Sequence, residues 1–391
     1  MAETGAGTLR KGRAQRKRVR VWEARSHYQR NLVCITLVLP CGLQAVFPHS
    51  SDGCFRLRTE PGNVELMAIP ELILASDATR IGQDARYLAK QAKRGELVRI
   101  RRGAYIRAAY WAQLNERQRH GLQAAALVNA AKTPPLFNLQ TAALLWGLGI
   151  VSVPKRLCTV TDDPRGGRSK HGIRRSLGSL DSGQAQLGSF QVTDKVRTTV
   201  ELAAALNFAE ALSVVDSSRR NQRLGDAFEA GDWNKDKAWG PPARMDELAE
   251  ATSALTSASR RRRAQSILEL SSEKSESVGE SMSRAQMILL NYPMPSLQGA
   301  FTLRNGRTAR TDFWWPELDL VGEFDGQGKY LRHELRGNQT IQQAVMAEKA
   351  RENGLRALGL TVIRWDWSDM MNPRVFARIL NDGGLHSVRA A

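Results

Sequence analysis

The sequence predicts an α/β protein built from more than one unit, and three observations support this class. The chain has 391 residues, which is too long for one ordinary domain. Hydrophobic residues make up 42% of it, enough to bury sizeable cores. From residue 67 onward, helix-like and strand-like segments follow one another, separated by turn residues such as Gly95, Gly103 and Gly306.

The charge of the chain favours a polyanionic partner. Its 57 Lys and Arg residues outnumber 39 Asp and Glu residues, which gives a formal net charge of +18 and points to DNA or RNA. The longest apolar stretch, residues 33–47, is too short and too interrupted to span a bilayer, so we expect no membrane segment. The four cysteines form no CxxC pair, which argues against a zinc site or a disulfide framework and favours a reducing cytoplasm.

Residues 1–66 differ from the rest of the chain. A basic run from Arg10 to Arg20 precedes the apolar stretch, and neither helical nor strand periodicity is clear. We expect a disordered or mis-assigned N-terminal extension, with Met67 as the working start, because an ordered pattern begins there. Pro40 and Gln44 interrupt the apolar part, which argues against an export signal.

Residues 67–110 predict a winged helix-turn-helix that binds DNA. Two helices, 69–75 and 84–94, precede a β-hairpin that turns at Gly103. In the second helix, Leu88 and Ala92 lie on one face and cationic residues on the other. The alternative is a solvated basic face with no ligand. The candidate DNA-binding residues are Arg86, Lys90, Lys93, Arg94, Arg99, Arg101 and Arg102.

Three further regions follow along the chain. Residues 111–229 predict a mixed α/β region, and residues 230–270, rich in Ser, Thr and Pro, predict a polar linker. Residues 271–385 predict the element order αβββαβ, with the last long helix at 339–358.

Two carboxylates of the last region are expected to meet across a β-hairpin. The short connection at 316–319 sets Trp315 opposite Leu320, so Asp312 lies opposite Glu323. Asp325 shares a face with Glu323 because side chains alternate along a strand. A divalent cation such as Mg²⁺ or Mn²⁺ would relieve the repulsion between the acids. The alternative is that the acids are solvated, or pair with neighbours such as Arg310.

The C-terminal motifs resemble the very-short-patch-repair-like domain of unknown function in the PD-(D/E)xK nuclease superfamily, a restriction-endonuclease-like fold. The resemblance implies that Asp312 and Glu323 bind the metal, that Asp325 is an additional acid, and that Glu280 approaches the site. Asp325 occupies the usual place of a lysine, which Lys329 would then supply. A helical wheel also allows Glu280 to form a surface ion pair with Arg284. The motifs are Glu280-Ser281-x-x-Arg284, Asp312-Phe313-x-Trp315-Pro316-Glu317, Glu323-Phe324-Asp325-Gly326 with Lys329, Glu348-x-x-Arg351 and Val362-x-Arg364.

The N-terminal motifs resemble AbiEi-type antitoxins of type IV toxin–antitoxin systems. The likeness rests on Gly95-Glu96-Leu97-Val98-Arg99-Ile100-Arg101-Arg102-Gly103-Ala104-Tyr105 and, more weakly, on segments within 139–148 and 197–216. The resemblance implies DNA binding and repression of the protein's own promoter.

Together these patterns predict a cytoplasmic DNA-binding protein with a Mg²⁺-dependent endonuclease domain. The alternative is a non-catalytic, antitoxin-like repressor whose nuclease fold is degenerate. Double-stranded DNA is the expected partner in both cases. A cognate toxin and a second copy of the chain are further candidate partners.

Overall fold

A computed structural model describes residues 34–38, 44–48, 72–80, 85–164, 172–220, 240–326 and 341–388. Over these ranges the protein is of the mixed α/β class, as predicted, with helices and with sheets that contain both parallel and antiparallel strands. The chain forms two compact units, Met1–Asn63 and Val64–Ala391. No helix in the described ranges is both long and apolar enough to cross a lipid bilayer.

The described part of the first unit is an antiparallel hairpin of β1 (Cys34–Val38) and β2 (Gln44–Pro48). No helical or strand periodicity was clear over residues 1–66, and the structure has two strands there. The residues of β1 include β-branched Ile35, Thr36 and Val38, which suit an extended backbone. Met67 lies outside the described residues.

The second unit begins with a small sheet and two helices. Ile73 and Leu74 were expected to be helical, but they pair with Tyr105 and Ala104 as an edge strand, and the helix starts at Ala75. Gly95 and Gly103 adopt positive φ at the predicted turns. The elements are β3 (Ile73–Leu74), α1 (Ala75–Arg80), α2 (Ala85–Lys93), β4 (Leu97–Arg101) and β5 (Ala104–Arg107).

The next described strands form a five-stranded mixed sheet in the order β8-β7-β6-β10-β9. Asn115 and Gln118 form a capping box at the start of the long helix Glu116–Ala130, which precedes this sheet in the chain. Buried Ala142, Leu144 and Trp146 pack one helix against the sheet. The elements are α3 (Ala108–Gln113), α4 (Glu116–Ala130), β6 (Leu136–Phe137), α5 (Leu139–Trp146), β7 (Leu157–Thr161), β8 (Ile173–Leu177), β9 (Gln184–Leu187) and β10 (Phe190–Thr193).

Two helices occupy much of the segment that was predicted to be a linker. Leu248, Ala264, Ile267 and Leu268 are buried in a core shared with the C-terminal region. The polar composition misled the prediction, because apolar residues at helical spacing are enough to bury one face. The four helices before the C-terminal region are α6 (Lys195–Ala203), α7 (Phe208–Arg219), α8 (Met245–Ser253) and α9 (Ala258–Leu270).

The C-terminal region contains a four-stranded sheet in the order β11-β12-β13-β14. β12 and β13 pair antiparallel around the turn at Pro316–Leu318, whereas β13 and β14 pair parallel. The elements are α10 (Val278–Leu289), β11 (Ser296–Thr302), β12 (Thr308–Trp315), β13 (Leu320–Phe324), α11 (Ile341–Arg356), β14 (Thr361–Trp365), α12 (Trp367–Met371) and α13 (Pro373–Asp382).

Aromatic rings fill the space between this sheet and its helices. The Trp365 ring lies 5.2 Å from the Phe313 ring and 5.3 Å from the Phe376 ring, between centroids. α10 lies close to β13 at Gly279, where a Cβ atom would overlap the Phe324 ring. This close approach brings the next residue, Glu280, to the sheet.

Candidate active site and nucleic-acid interface

The first turn of α10 directs a carboxylate into the protein. Ser277 caps the helix by accepting a hydrogen bond from the Glu280 N–H at 3.1 Å. Glu280 is 5% exposed, and its Oε2 accepts hydrogen bonds from Glu276 N at 2.8 Å and Gln298 Nε2 at 3.1 Å. Glu280 is therefore an interior acid.

The alternative surface pair between Glu280 and Arg284 does not form. Arg284 Nη1 instead lies 2.6 Å from Asp216 Oδ2 of α7, and this Asp216 side chain is fully buried. Asp216 Oδ1 also accepts a hydrogen bond from Ser272 N at 2.7 Å. The helical wheel could not identify this partner because Asp216 comes from a helix far away in the sequence.

The β12–β13 hairpin places two further acids as predicted. Trp315 pairs with Leu320 and Phe313 with Gly322, which confirms the predicted register and sets Asp312 and Glu323 at the next position. Asp312 Oδ2 accepts a hydrogen bond from Phe324 N at 2.9 Å. Glu323 is 2% exposed.

Glu280 and Asp312 influence each other electrostatically. Burial, followed by the negative charge of Asp312, raises the pKa of Glu280 to about 8. Glu280 therefore retains a proton near neutral pH in the absence of a cation. Acids with a pKa perturbed by burial and by a neighbouring charge are candidates for functional sites.

Two guanidinium groups lie beside Glu323 and Asp325. Arg351 Nη2 lies 2.6 Å from Glu323 Oε2, and Arg364 Nη1 lies 3.1 Å from the same oxygen. Arg364 also binds Asp325 with both ends of its fork, Nε to Oδ2 at 2.8 Å and Nη2 to Oδ1 at 2.6 Å. Positive charge beside Glu323 and Asp325 therefore comes from arginine.

Two sequence-based expectations concern this cluster. Asp325 was expected to be a metal ligand beside Glu323, and in the structure both of its oxygens accept hydrogen bonds from Arg364. Arg310 was the candidate ion-pair partner of the hairpin acids, but its Nη1 lies 3.9 Å from Glu276 Oε1 at the surface. Lys329 lies outside the described residues.

The side chains of these acids carry the type of ligand atom that a hard divalent cation binds. Glu280, Asp312 and Glu323 offer only oxygen atoms, which Mg²⁺ and Mn²⁺ prefer. Glu323 Oε1 is buried and has no hydrogen-bond partner among the described residues, so it is available to a ligand. In the part of the chain that the structure describes, no three His, Cys, Asp or Glu side chains already form a cluster that could hold a metal ion.

The basic residues of the N-terminal region lie where a ligand could reach them. Arg86, Lys90 and Lys93 are exposed on α2, and Leu88 is buried on the opposite face. Arg99 and Arg102 are exposed on the β4–β5 hairpin. The remaining candidates on this surface are the exposed Arg94, whose Nη1 lies 4.0 Å from Glu96 Oε1, and the partly buried Arg101.

Sequence reasoning missed the direct contacts that Arg351 and Arg364 make with Glu323. One sequence signal was available for Arg351 and none for Arg364. Glu348 and Arg351 are three residues apart on one helix, and Arg351 Nη2 lies 2.6 Å from Glu348 Oε1. Arg364 is the parallel-sheet neighbour of Glu323, but that pairing follows only from the tertiary arrangement of β13 and β14.

Comparisons with known proteins add little to this geometry. No protein-family profile and no curated protein matches the sequence. Among solved structures, the crystal structure of the Rv2827c protein from Mycobacterium tuberculosis is similar over 60% of this chain and 84% of that chain, with 14% sequence identity and a TM-score of 0.33. A likeness at this level carries no argument about function.

Proposed function

We propose that this protein binds double-stranded DNA and hydrolyses it with a metal-dependent endonuclease site in residues 271–385. One observation carries the proposal. Asp312 and Glu323 follow directly on the paired positions of β12 and β13, Asp312 acts on the pKa of Glu280, and a buried oxygen of Glu323 lacks a hydrogen-bond partner among the described residues. A bound cation would give that oxygen a partner, and a buried polar atom without a partner is costly.

Asp312 and Glu323 would hold the ion, with Glu280 as a further oxygen donor. Bound Mg²⁺ or Mn²⁺ supplies a Lewis acid for a phosphate oxygen and an activated water. Asp325 serves as an anchor for Arg364, which supports Glu323 from the side of β14. Lys329 remains a predicted source of positive charge for the phosphate.

DNA binding is assigned to α2 and the β4–β5 hairpin, which we propose form a winged helix-turn-helix. The exposed cations on both elements support this assignment. Phosphate contacts supply most of the non-specific affinity of such surfaces, and a helix in the major groove can read bases. A DNA substrate agrees with the cytoplasmic location expected from the sequence.

A plasmid assay tests the nuclease. Supercoiled plasmid is incubated with the full chain and Mg²⁺ or Mn²⁺, beside Asp312→Ala and beside the exposed-acid control Glu317→Gln. We expect nicking by the wild type and by the control, and at least a hundredfold slower nicking by Asp312→Ala, since loss of a direct metal ligand exceeds the 10–100-fold effect of outer-shell changes. Equal rates for the wild type and Asp312→Ala would assign the nicking to a contaminant.

Salt titration tests the DNA interface. Binding of labelled duplex DNA is followed by fluorescence anisotropy for the wild type and for Arg101→Ala combined with Arg102→Ala. If both residues contact phosphates, the slope of log affinity against log salt becomes shallower by about 2. An unchanged slope would remove the hairpin tip from the interface.

The arginine contacts favour a second candidate function, a non-catalytic repressor that uses the nuclease fold only as a surface. Arg351 and Arg364 already neutralise Glu323 and Asp325 without a metal. This candidate predicts promoter binding with no nicking by the wild type in either metal. A cognate toxin and a homodimer are further proposals, which co-purification and the solution mass would test.

A further inference from the structure

Two guanidinium groups converge on one oxygen of Glu323 and leave the other free of them. Arg351 Nη2 and Arg364 Nη1 lie 2.6 Å and 3.1 Å from Oε2. Oε1 of the same carboxylate is buried without a hydrogen-bond partner in the described ranges. The two oxygens of one side chain therefore occupy very different surroundings.

Both arginines are themselves fixed in place. Arg351 donates to Glu348 Oε2 from Nε at 3.0 Å and to the Arg310 carbonyl from Nη1 at 3.0 Å. Arg364 is held by its two hydrogen bonds to Asp325 and by one to Glu348 Oε1 at 2.9 Å. A guanidinium with several fixed partners holds a carboxylate in one orientation more firmly than a lysine can.

We propose that Arg351 and Arg364 are positioning residues that hold Glu323 through Oε2, so that Oε1 is the oxygen presented to the metal ion. This inference rests on the proposed function, since it assigns the orientation of one ligand in that site. It also gives Asp325 and Glu348 a role, because they fix the arginines and do not bind the ion.

The proposal and simple electrostatics predict opposite changes in metal affinity when one arginine is removed. Two positive groups beside a metal site repel the ion, so removing one of them should tighten metal binding on Coulombic grounds. If orientation of Glu323 dominates, removal should weaken binding. Loss of an outer-shell partner in metalloproteins commonly costs 10–100-fold in metal affinity.

The test measures Mn²⁺ affinity of the full chain by electron paramagnetic resonance, without DNA and well below the unfolding temperature. Arg351→Met removes the contact with Glu323, and Arg351→Lys keeps the charge on a single nitrogen without the guanidinium fork. Arg351→Gln is a second neutral variant if Arg351→Met fails to fold. Arg356→Met is the matched control, because Arg356 lies on the same helix and pairs with Glu352 at 2.9 Å.

We expect Arg351→Met or Arg351→Gln to weaken Mn²⁺ binding at least tenfold, and Arg356→Met to match the wild type. Arg351→Lys should recover only part of the loss, because a single ammonium group holds the carboxylate less firmly than a guanidinium does. Unchanged or tighter binding by the neutral variants, with a wild type that binds Mn²⁺, would overturn the positioning role and leave the proposed function standing. A wild type that binds no Mn²⁺ at millimolar concentration would overturn both.

Discussion

Glu280 offers the most direct test of the electrostatics of the acidic site. Glu280→Gln replaces a carboxylate by an amide of the same shape, whose oxygen can still accept hydrogen bonds from Glu276 N and Gln298 Nε2. The substitution therefore removes the titratable group and retains the packing at a side chain that is only 5% exposed.

The magnitude follows from the pKa. Burial and then Asp312 raise the pKa of Glu280 from 4.5 to about 8. Each pKa unit corresponds to about 1.4 kcal/mol, so ionised Glu280 costs the folded state at most about 5 kcal/mol. The folded protein binds this proton more tightly than the unfolded chain does. The free energy of unfolding therefore falls as pH rises from about 4.5 to about 8 and then levels off.

Urea unfolding followed by circular dichroism, in EDTA at pH 5 and pH 9, measures the effect. We expect Glu280→Gln to be close to the wild type at pH 5 and more stable by about 2–4 kcal/mol at pH 9. The control Glu317→Gln removes an exposed acid of the same hairpin region. Its free energy of unfolding should differ from that of the wild type by the same amount at pH 5 and pH 9. An equal difference between Glu280→Gln and the wild type at pH 5 and pH 9 would refute the assigned pKa and its cause.

Two further predictions concern the packing that supports the site. Asp216→Ala leaves Arg284 buried without its carboxylate and should lower the free energy of unfolding, measured in urea, by about 3–5 kcal/mol. The control Asp246→Ala breaks an exposed pair with Arg244 and should cause no measurable loss. Gly279→Ala forces a methyl group against the Phe324 ring and should lower the free energy of unfolding by about 1–3 kcal/mol. An unchanged unfolding midpoint would show that α10 does not approach β13 so closely.

Local patterns predicted much of the secondary structure. The predicted helix 84–94 corresponds to α2 (Ala85–Lys93), and Gly95 and Gly103 end a helix and turn a hairpin as expected. The register of the β12–β13 hairpin was also predictable, because a short connection fixes which residues face each other.

The candidate site was only partly predictable for a physical reason. Asp312 and Glu323 are neighbours within one hairpin, so their proximity follows from local geometry. Arg364 reaches Glu323 through a parallel pairing, and Glu280 reaches the sheet through a helix that packs on it at Gly279. Such contacts depend on how distant segments fold together.

The sequence by itself determined the alternation of helices and strands, the basic surface of α2 and the β4–β5 hairpin, and the acidic pair at Asp312 and Glu323. Each follows from residue spacing or from a short turn. Only the tertiary structure decided that Glu280 is buried and that arginines hold Glu323 and Asp325. It also decided that Met245–Ser253 and Ala258–Leu270 are helices with a buried face. Burial and ion pairing depend on which surfaces meet, and spacing along the chain does not contain that information.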